Sequence, residues 1–288
     1  MPGPAKPIAN PILEHHLENN RKSAGLWDDF AGHRDKLSAL IRQAGGETLA
    51  VLGAGNCNDL DLAALAPLYR EIHLLDLDPE AVSRARARLP DAVAAKIVVH
   101  APVDLSGSYD RLPAFRGKAM SPAQLTSLPD QATARVLAGL GGLAGSFDTV
   151  VSACCLSQIM HSCFLALGKH EQLDAVATAL ARVHLRLLLS LLRPGGAALL
   201  VSDMVSSETF PLEEMWGTRP PLVLLAELER TGNFLSGTAA TFVKRLFGSD
   251  PVAAALVDGT PLLIEPWLWR LGADLSFAVY ALSVRRRA

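Results

Sequence analysis

The chain has 288 residues, half of them hydrophobic, with a formal net charge of −2 and a pI near 6.4. That balance gives no support for charge-driven binding of bulk nucleic acid, and the length allows one large α/β domain or a domain with a smaller cap. Four cysteines, Cys57, Cys154, Cys155 and Cys163, lack the spacing of a disulfide framework, so a reduced, cytoplasmic protein is expected.

Met1 to Asn10 is rich in proline and has no apolar segment, which predicts a flexible leader and no signal peptide. The apolar run Leu185 to Leu192 is broken at Arg186 and is too short to cross a bilayer, so no membrane association is expected. From Pro11 to Ala44 apolar residues recur at helical spacing. A break near Ser23 to Gly25 divides this stretch into two helices, and Gly45-Gly46 ends the second. Residues 1–44 are therefore expected to form an N-terminal helical lid. Trp27 and Phe30 either fold over the sheet edge as part of it or pack into the core.

Residues 45–288 form the main domain. Thr48 to Leu52 is the first predicted strand, Leu60 to Leu68 a helix, Glu71 to Leu75 the second strand and Pro79 to Arg88 a helix begun by proline. Lys96 to His100 is the third strand. An insertion follows at 106–146, punctuated by Pro122, Pro129 and Gly141-Gly142, with a helix expected over Gln131 to Leu140. Phe147 to Ala153 is the fourth strand, Glu171 to Leu192 a strongly amphipathic helix and Ala197 to Ser202 the fifth strand. A second insertion at 203–237 contains a helix over Leu222 to Arg230. Short helices follow at Ala239 to Phe247 and Pro251 to Leu256. Leu262 to Trp269 and Leu275 to Val284 are strands whose short link forces them antiparallel.

The chemistry concentrates after the first strand. A buried strand passes through Gly53-Ala54-Gly55-Asn56 into a helical pattern, and glycine there lets a ligand approach the backbone. Asp76, 23 residues beyond Gly53, ends the second strand. It can accept both hydroxyls of a ribose or cap a helix, although Asp78, just before Pro79, is the better cap. A dinucleotide fingerprint requires a small residue at its third glycine position. Asn58 stands there, and the chain has only one such turn. Both features oppose a nicotinamide-dependent oxidoreductase.

The ordered set Val51-Leu52-Gly53-Ala54-Gly55-Asn56, Leu74-Leu75-Asp76-Leu77-Asp78, Asp104, Phe147-Asp148-Thr149-Val150-Val151 and Leu192-Arg193-Pro194-Gly195-Gly196 resembles the class I S-adenosylmethionine-dependent methyltransferases. The likeness extends over about residues 45 to 284 and is nearest to the small-molecule N- and O-methyltransferases with a helical cap. It implies a doubly wound, seven-stranded, mostly parallel sheet with an antiparallel terminal strand. It further implies S-adenosylmethionine as cofactor. Gly53, Ala54, Gly55 and Asn56 would pass near its methionine moiety, with Asp76 on the ribose and Leu77 on the adenine. Asp104 would take the adenine amine, unless it is a plain loop acid, and Ala153 and Cys154 would line the methionine side. Asn56 departs from the commoner small residue of the turn.

For the acceptor, His161 and Gln158 follow strand four. His161 either deprotonates an acceptor or bonds to the helical backbone, and Gln158 orients a polar substrate. Trp27, Tyr109, Met204 and Trp216, with Phe234, are available to build the acceptor pocket. The cysteines are expected as buried small hydrophobes rather than a metal site. The implied partner is a small molecule with an N, O or S acceptor atom, not nucleic acid, and the chain is a monomer or homodimer. The competing functions are the oxidoreductase and a non-catalytic S-adenosylmethionine-binding regulatory or interaction domain. A pocket filled by Trp216 or by the 106–146 segment would favour the latter.

Overall fold

The structure is a computed structural model that describes residues 10–288. The expected leader lies outside the described residues except for Asn10, whose side chain accepts from the backbone N–H of Ile12 and caps the first helix. Helices α1 (Pro11–Ser23) and α2 (Ala31–Ala44) precede β1 (Thr48–Leu52). The next elements are α3 (Leu62–Leu65), β2 (Glu71–Leu75), α4 (Pro79–Ala87), α5 (Asp91–Ala94) and β3 (Ile97–His100). The chain continues through α6 (Pro122–Gly139), β4 (Phe147–Ala153), α7 (Cys155–Leu167), α8 (Leu173–Leu191) and β5 (Leu192–Ser206). It ends with α9 (Leu212–Met215), α10 (Pro221–Arg230), α11 (Ala240–Ser249), α12 (Pro251–Leu256), β6 (Val257–Leu271) and β7 (Leu275–Arg286).

The seven strands form one sheet in the order β3-β2-β1-β4-β5-β7-β6. Strands β1 to β5 pair in parallel, and β7 runs antiparallel to both β5 and β6. Every residue of β1 and β4 is buried, as a parallel sheet covered on both faces requires. Alternation along β1 sends Ala50 and Leu52 into the core beneath α6, α7 and α8, and Leu49 and Val51 into the core shared with α2 and α4. Helix α1 packs on α7, whereas α2 packs across β5 and β6.

Two expectations need correction. The helix predicted over Leu60 to Leu68 is a single turn at Leu62–Leu65, started by the Asp61 side chain bonded to Ala64 N and followed closely by Pro67. The insertion helix is nearly twice as long as predicted and runs through Pro129. Ser121 and Gln124 form a reciprocal capping box that starts it at Pro122, and one missing N–H inside an 18-residue helix does not break it. Cys154 and Cys155 do not continue the strand: Cys154 has a left-handed φ of 49°, and α7 begins immediately after it. The turn still sends the two side chains apart, Cys154 into the α2-side core and Cys155 into the α7-side core.

Candidate functional site

The strand order reverses between β1 and β4, which places a crevice at the carboxyl ends of those strands. The glycine turn occupies it. Gly53 N and Ala54 N both donate to the carbonyl of Leu75, at 3.0 and 3.2 Å, tying the turn to the end of β2. Gly53 has a φ of +75°, and a Cβ there would lie 2.8 Å from Cys155 Cβ. Glycine is therefore required both for the turn and for the close approach of α7.

Asp76 is buried at the end of β2. One carboxylate oxygen accepts from Gly55 N at 2.8 Å and the other from Asp78 N at 2.8 Å. Each oxygen keeps a second acceptor position. Burial pushes this carboxyl up to about 6, against the backbone N–H bonds and with the help of the Asp78 charge. Asp78 caps α4 through Glu80 N and Ala81 N.

A cavity of about 380 Å³ opens beside Asp76's neighbour Leu77 and is walled by Pro102, Val103, Asp104, Tyr109 and Arg135. It lies beyond the ends of β2 and β3 and is large enough for a small-molecule ligand. The Asp104 carboxylate organises its own loop. One oxygen accepts from Ser106 N, Ser106 Oγ and Gly107 N, the other from Tyr109 N. Oδ1 is thus saturated, whereas Oδ2 keeps a second acceptor position.

Helix α1 lies across the turn. Asn56 Nδ2 donates to Asn20 O at 2.7 Å and to Ser23 Oγ at 3.1 Å, and Asn58 Nδ2 donates to Ser23 O at 2.7 Å. Asn20 Nδ2 donates to Asp78 Oδ2. Arg84 and Arg88 hold the other side of Asn56 and Asn58. The Asn56 amide therefore bonds to the helix above the turn, and a Cβ on Gly55 would meet Asn20 Oδ1 at 3.1 Å. Trp27 stacks under the guanidinium of Arg34, 3.7 Å from its ring centre, with Arg88 at 5.0 Å.

On the α7 side, His16 stacks on Tyr109 with ring centres 5.3 Å apart. Ser162 Oγ donates to Gln158 O, so the 2.8 Å contact with His16 Nε2 is a bond donated by the imidazole. Burial and then the neighbouring His15 push His16 down to about 4, which keeps it neutral. Tyr109 is buried among these groups, and burial and the adjacent Cys155 push its hydroxyl up. His161 is half-buried, 4.7 Å from the ring of His15. The Gln158 side chain is exposed.

The crevice thus brings together Gly53, Ala54, Gly55, Asn56, Asp76, Leu77 and Cys154, with Tyr109 and Asp104 at the cavity. Ala153 is buried at the end of β4. Trp27 belongs to the α2 side, Met204 is a core residue only 1% exposed, and Trp216 is half-buried on the α7-side core at the end of α9. Sequence reasoning missed Asn20, His16 and Ser162, because nothing in a helical pattern distinguishes the residue that bonds across a turn. It also assigned no role to Asp59, Asp203 and His33.

The sheet order, the parallel β1 to β5 and the antiparallel β7 define the class I methyltransferase fold. No family model matches the sequence, and no curated protein matches it. Among solved structures, the chain is similar to a S-adenosylmethionine-dependent methyltransferase of Methanosarcina mazei, with 13% identity and a TM-score of 0.45 over 86% of this chain and 97% of that one. It is similar to the N-methyltransferase NodS of Bradyrhizobium japonicum, solved with S-adenosyl-L-homocysteine, with 14% identity and a TM-score of 0.44 over 95% and 99%. A 16S rRNA adenine methyltransferase of Catenulisporales acidiphilia gives 13% identity and a TM-score of 0.38 over 88% and 91%. These TM-scores are all below 0.5, so the fold assignment stands on the strand order and register of the chain itself.

Proposed function

We propose that the protein is a S-adenosylmethionine-dependent methyltransferase acting on a small molecule with an N, O or S acceptor atom. The observation that carries this reading is Asp76. Its carboxylate ends β2, is tied to the glycine turn through Gly55 N and keeps an acceptor position on each oxygen, and the next residue, Leu77, lines the 380 Å³ cavity. The residues present fit the cofactor. Asp76 would hold the ribose hydroxyls, Leu77 and Val103 would take the adenine, and Gly53 and Gly55 would pass the methionine moiety. The cofactor supplies an electrophilic methyl group on a positively charged sulfur.

The chain's own contribution is alignment and exclusion of water. Helix α1 covers the turn, and Tyr109 and His16 close the α7 side, an enclosed arrangement that suits a small acceptor better than a macromolecule. His161 and Gln158 stand at the outer edge, where they orient the acceptor. One observation supports a second reading, a cofactor-binding domain without turnover: Tyr109, from the first insertion, is buried inside the site.

Calorimetric titration with S-adenosylmethionine, S-adenosylhomocysteine and NADH tests the assignment. Micromolar binding of the two sulfur compounds is expected, weakened at least about tenfold in Asp76→Ala through loss of charge-assisted hydrogen bonds. Binding of NADH alone would overturn it. Tight cofactor binding without methylation of any amine, phenol or thiol would select the second reading.

A further inference from the structure

Helix α1 meets the body of the molecule along one stripe, Ile12, His16, Asn20 and Ser23, which recurs at helical spacing. Ile12 is the only fully buried residue of the helix. The other three make polar contacts: His16 with Ser162 of α7, and Asn20 and Ser23 with Asn56 and Asn58 of the glycine turn. The N-terminal end of the helix also walls the cavity of about 380 Å³, where Asn10 and Leu13 stand beside Leu77 and Tyr109. Asn10 Nδ2 donates to the Tyr109 carbonyl at 3.1 Å. Opening this wall requires α1 to leave α7.

Imidazoles occupy the contact between these two helices. The ring centres of His15 and His161 stand 4.7 Å apart and those of His15 and His16 6.3 Å apart, while His16 stacks on Tyr109. Two hydrogen bonds mark the rings as neutral. Asn19 Nδ2, a donor, lies 2.9 Å from His15 Nε2, so that nitrogen accepts and carries no proton. His16 Nε2 gives its proton to Ser162 Oγ, which leaves Nδ1 bare. Among the described residues no carboxylate bonds to any of the three rings. On α1, Glu18 is paired with Arg21 and Lys22, and Glu14 is exposed. On α7, the other titratable groups are the buried thiols of Cys155 and Cys163. Behind Tyr109, Asp76 and Asp104 act on its hydroxyl and not on the histidines. Asp78 caps α4, and Asp110 pairs with Arg111. A positive charge on the cluster would therefore have no bonded counter-charge.

We propose that α1 is a proton-released cover: protonation of the cluster formed by His15, His16 and His161 detaches its N-terminal half from α7, swings the helix about residues 23–25 and opens the cavity. The inference goes beyond the methyltransferase reading and holds whichever ligand the cavity takes. Like charges at ring separations of 4.7 and 6.3 Å repel, and a charged His16 has to stay packed against Tyr109. Burial, and then the rings of His15 and His161, push the docked His16 down to about 4, whereas a released imidazole has its ordinary value of about 6.5. Burial, His161 and Lys22 push His15 down as well. A depressed docked value means that docking is at full strength above the released value and weakens as pH falls from there toward the docked one. His16 alone then weakens docking about tenfold between about pH 7.5 and about pH 5.5. The bonds to Ser23 hold the C-terminal end, and at Gly25 an added Cβ meets nothing within 4 Å, so the pivot has room.

Amide hydrogen exchange in the full chain, without ligand and corrected for the intrinsic pH dependence of exchange, tests this. Protection over residues 11–23 should fall at least about tenfold from about pH 7.5 to about pH 5.5, with β1 and β4 unchanged. Constant protection of α1 overturns the proposal. So does an equal fall in β1 and β4, which is acid unfolding of the whole chain. The triple variant His15→Gln, His16→Gln, His161→Gln keeps a donor at position 16 and cannot titrate there. Its protection should stay constant over the same range, and a fall equal to the parent's overturns the proposal. Should that variant leave α1 unprotected at every pH, NMR titration of the His16 ring in the parent decides. A midpoint at least about one unit below the ordinary imidazole value is expected, and an ordinary midpoint overturns the proposal.

Discussion

Asp148 reaches back from the start of β4 to the entrance of β1. Its Oδ2 accepts from Glu47 N, Thr48 N and Thr48 Oγ1 at 2.8, 2.9 and 3.1 Å, and Arg193 pairs with Oδ1. Gly46 is small because a Cβ there would fall 2.3 Å from Asp148 Cβ. Burial pushes this carboxyl up, but the bonds from Glu47 and Thr48 and the Arg193 charge outweigh it and hold it below the ordinary value. A depressed folded value means a stabilisation that is complete above the unfolded carboxylate pKa and is lost as pH falls through the folded one. Asp148→Asn can keep its carbonyl oxygen on the Glu47 and Thr48 donors but sets an NH2 against the Arg193 guanidinium in place of the carboxylate charge, so it should cost about 1–3 kcal/mol at pH 7. The cost should shrink on acidification, as urea denaturation at neutral and acid pH would show. Gly53→Ala should cost about 1–3 kcal/mol in the same assay, from the 2.8 Å clash with Cys155 and the positive φ. Gly25→Ala, with nothing within 4 Å of the added Cβ, should change stability by less than about 0.5 kcal/mol.

At the scale of elements, α1 acts as a strap. Only Ile12 of its residues is fully buried, so apolar packing alone holds it weakly. Polar bonds at its C-terminal end, from Asn56 and Asn58 to Asn20 and Ser23, fasten it over the turn. Any cofactor entering past Gly55 has to displace the Asn20 side chain or move the helix. Asn56→Ala removes two of the bonds and frees Arg84. Amide hydrogen exchange over residues 11–26 should then accelerate at least about tenfold, equivalent to roughly 1.4 kcal/mol of local opening, while β1 and β4 keep their protection. Equal acceleration in both regions would show that the strap and the sheet open as one unit.

The whole molecule divides into two cores around one sheet, and the site occupies the edge where the cores meet. Helices α2 and α4 back the glycine turn from one face, and α7 and α8 from the other. A ligand bound at that edge contacts both layers and so stabilises the fold as a unit. S-adenosylhomocysteine at about one hundred times its dissociation constant should add roughly 2.7 kcal/mol to the unfolding free energy. The thermal midpoint should rise accordingly, with no rise for NADH. Among the described residues no helix is long and apolar enough to cross a membrane.

Strands β1, β2 and β4 begin and end where the sequence predicts them, because short apolar runs bounded by Gly, Asp and Pro leave little freedom in a doubly buried sheet. The order of the glycine turn, Asp76 and the antiparallel hairpin was likewise legible, since each is a local pattern. The length of α6 was misread because Pro129 was given more weight than the capping box that starts the helix. The shortness of α3 was missed because its apolar residues suit a longer helix that its flanking turns do not allow. What the sequence could not convey is adjacency across the sheet. His33, Asp59 and Trp267 share no spacing or periodicity, nor do Ser157 and Asp203, and the crossovers of the fold alone bring each group together. Asn20 above Gly55 is of the same kind. Local chain stiffness and hydrophobic period determined the elements and the presence of a ligand edge, whereas only tertiary packing decided which polar groups there are satisfied and which remain available for chemistry.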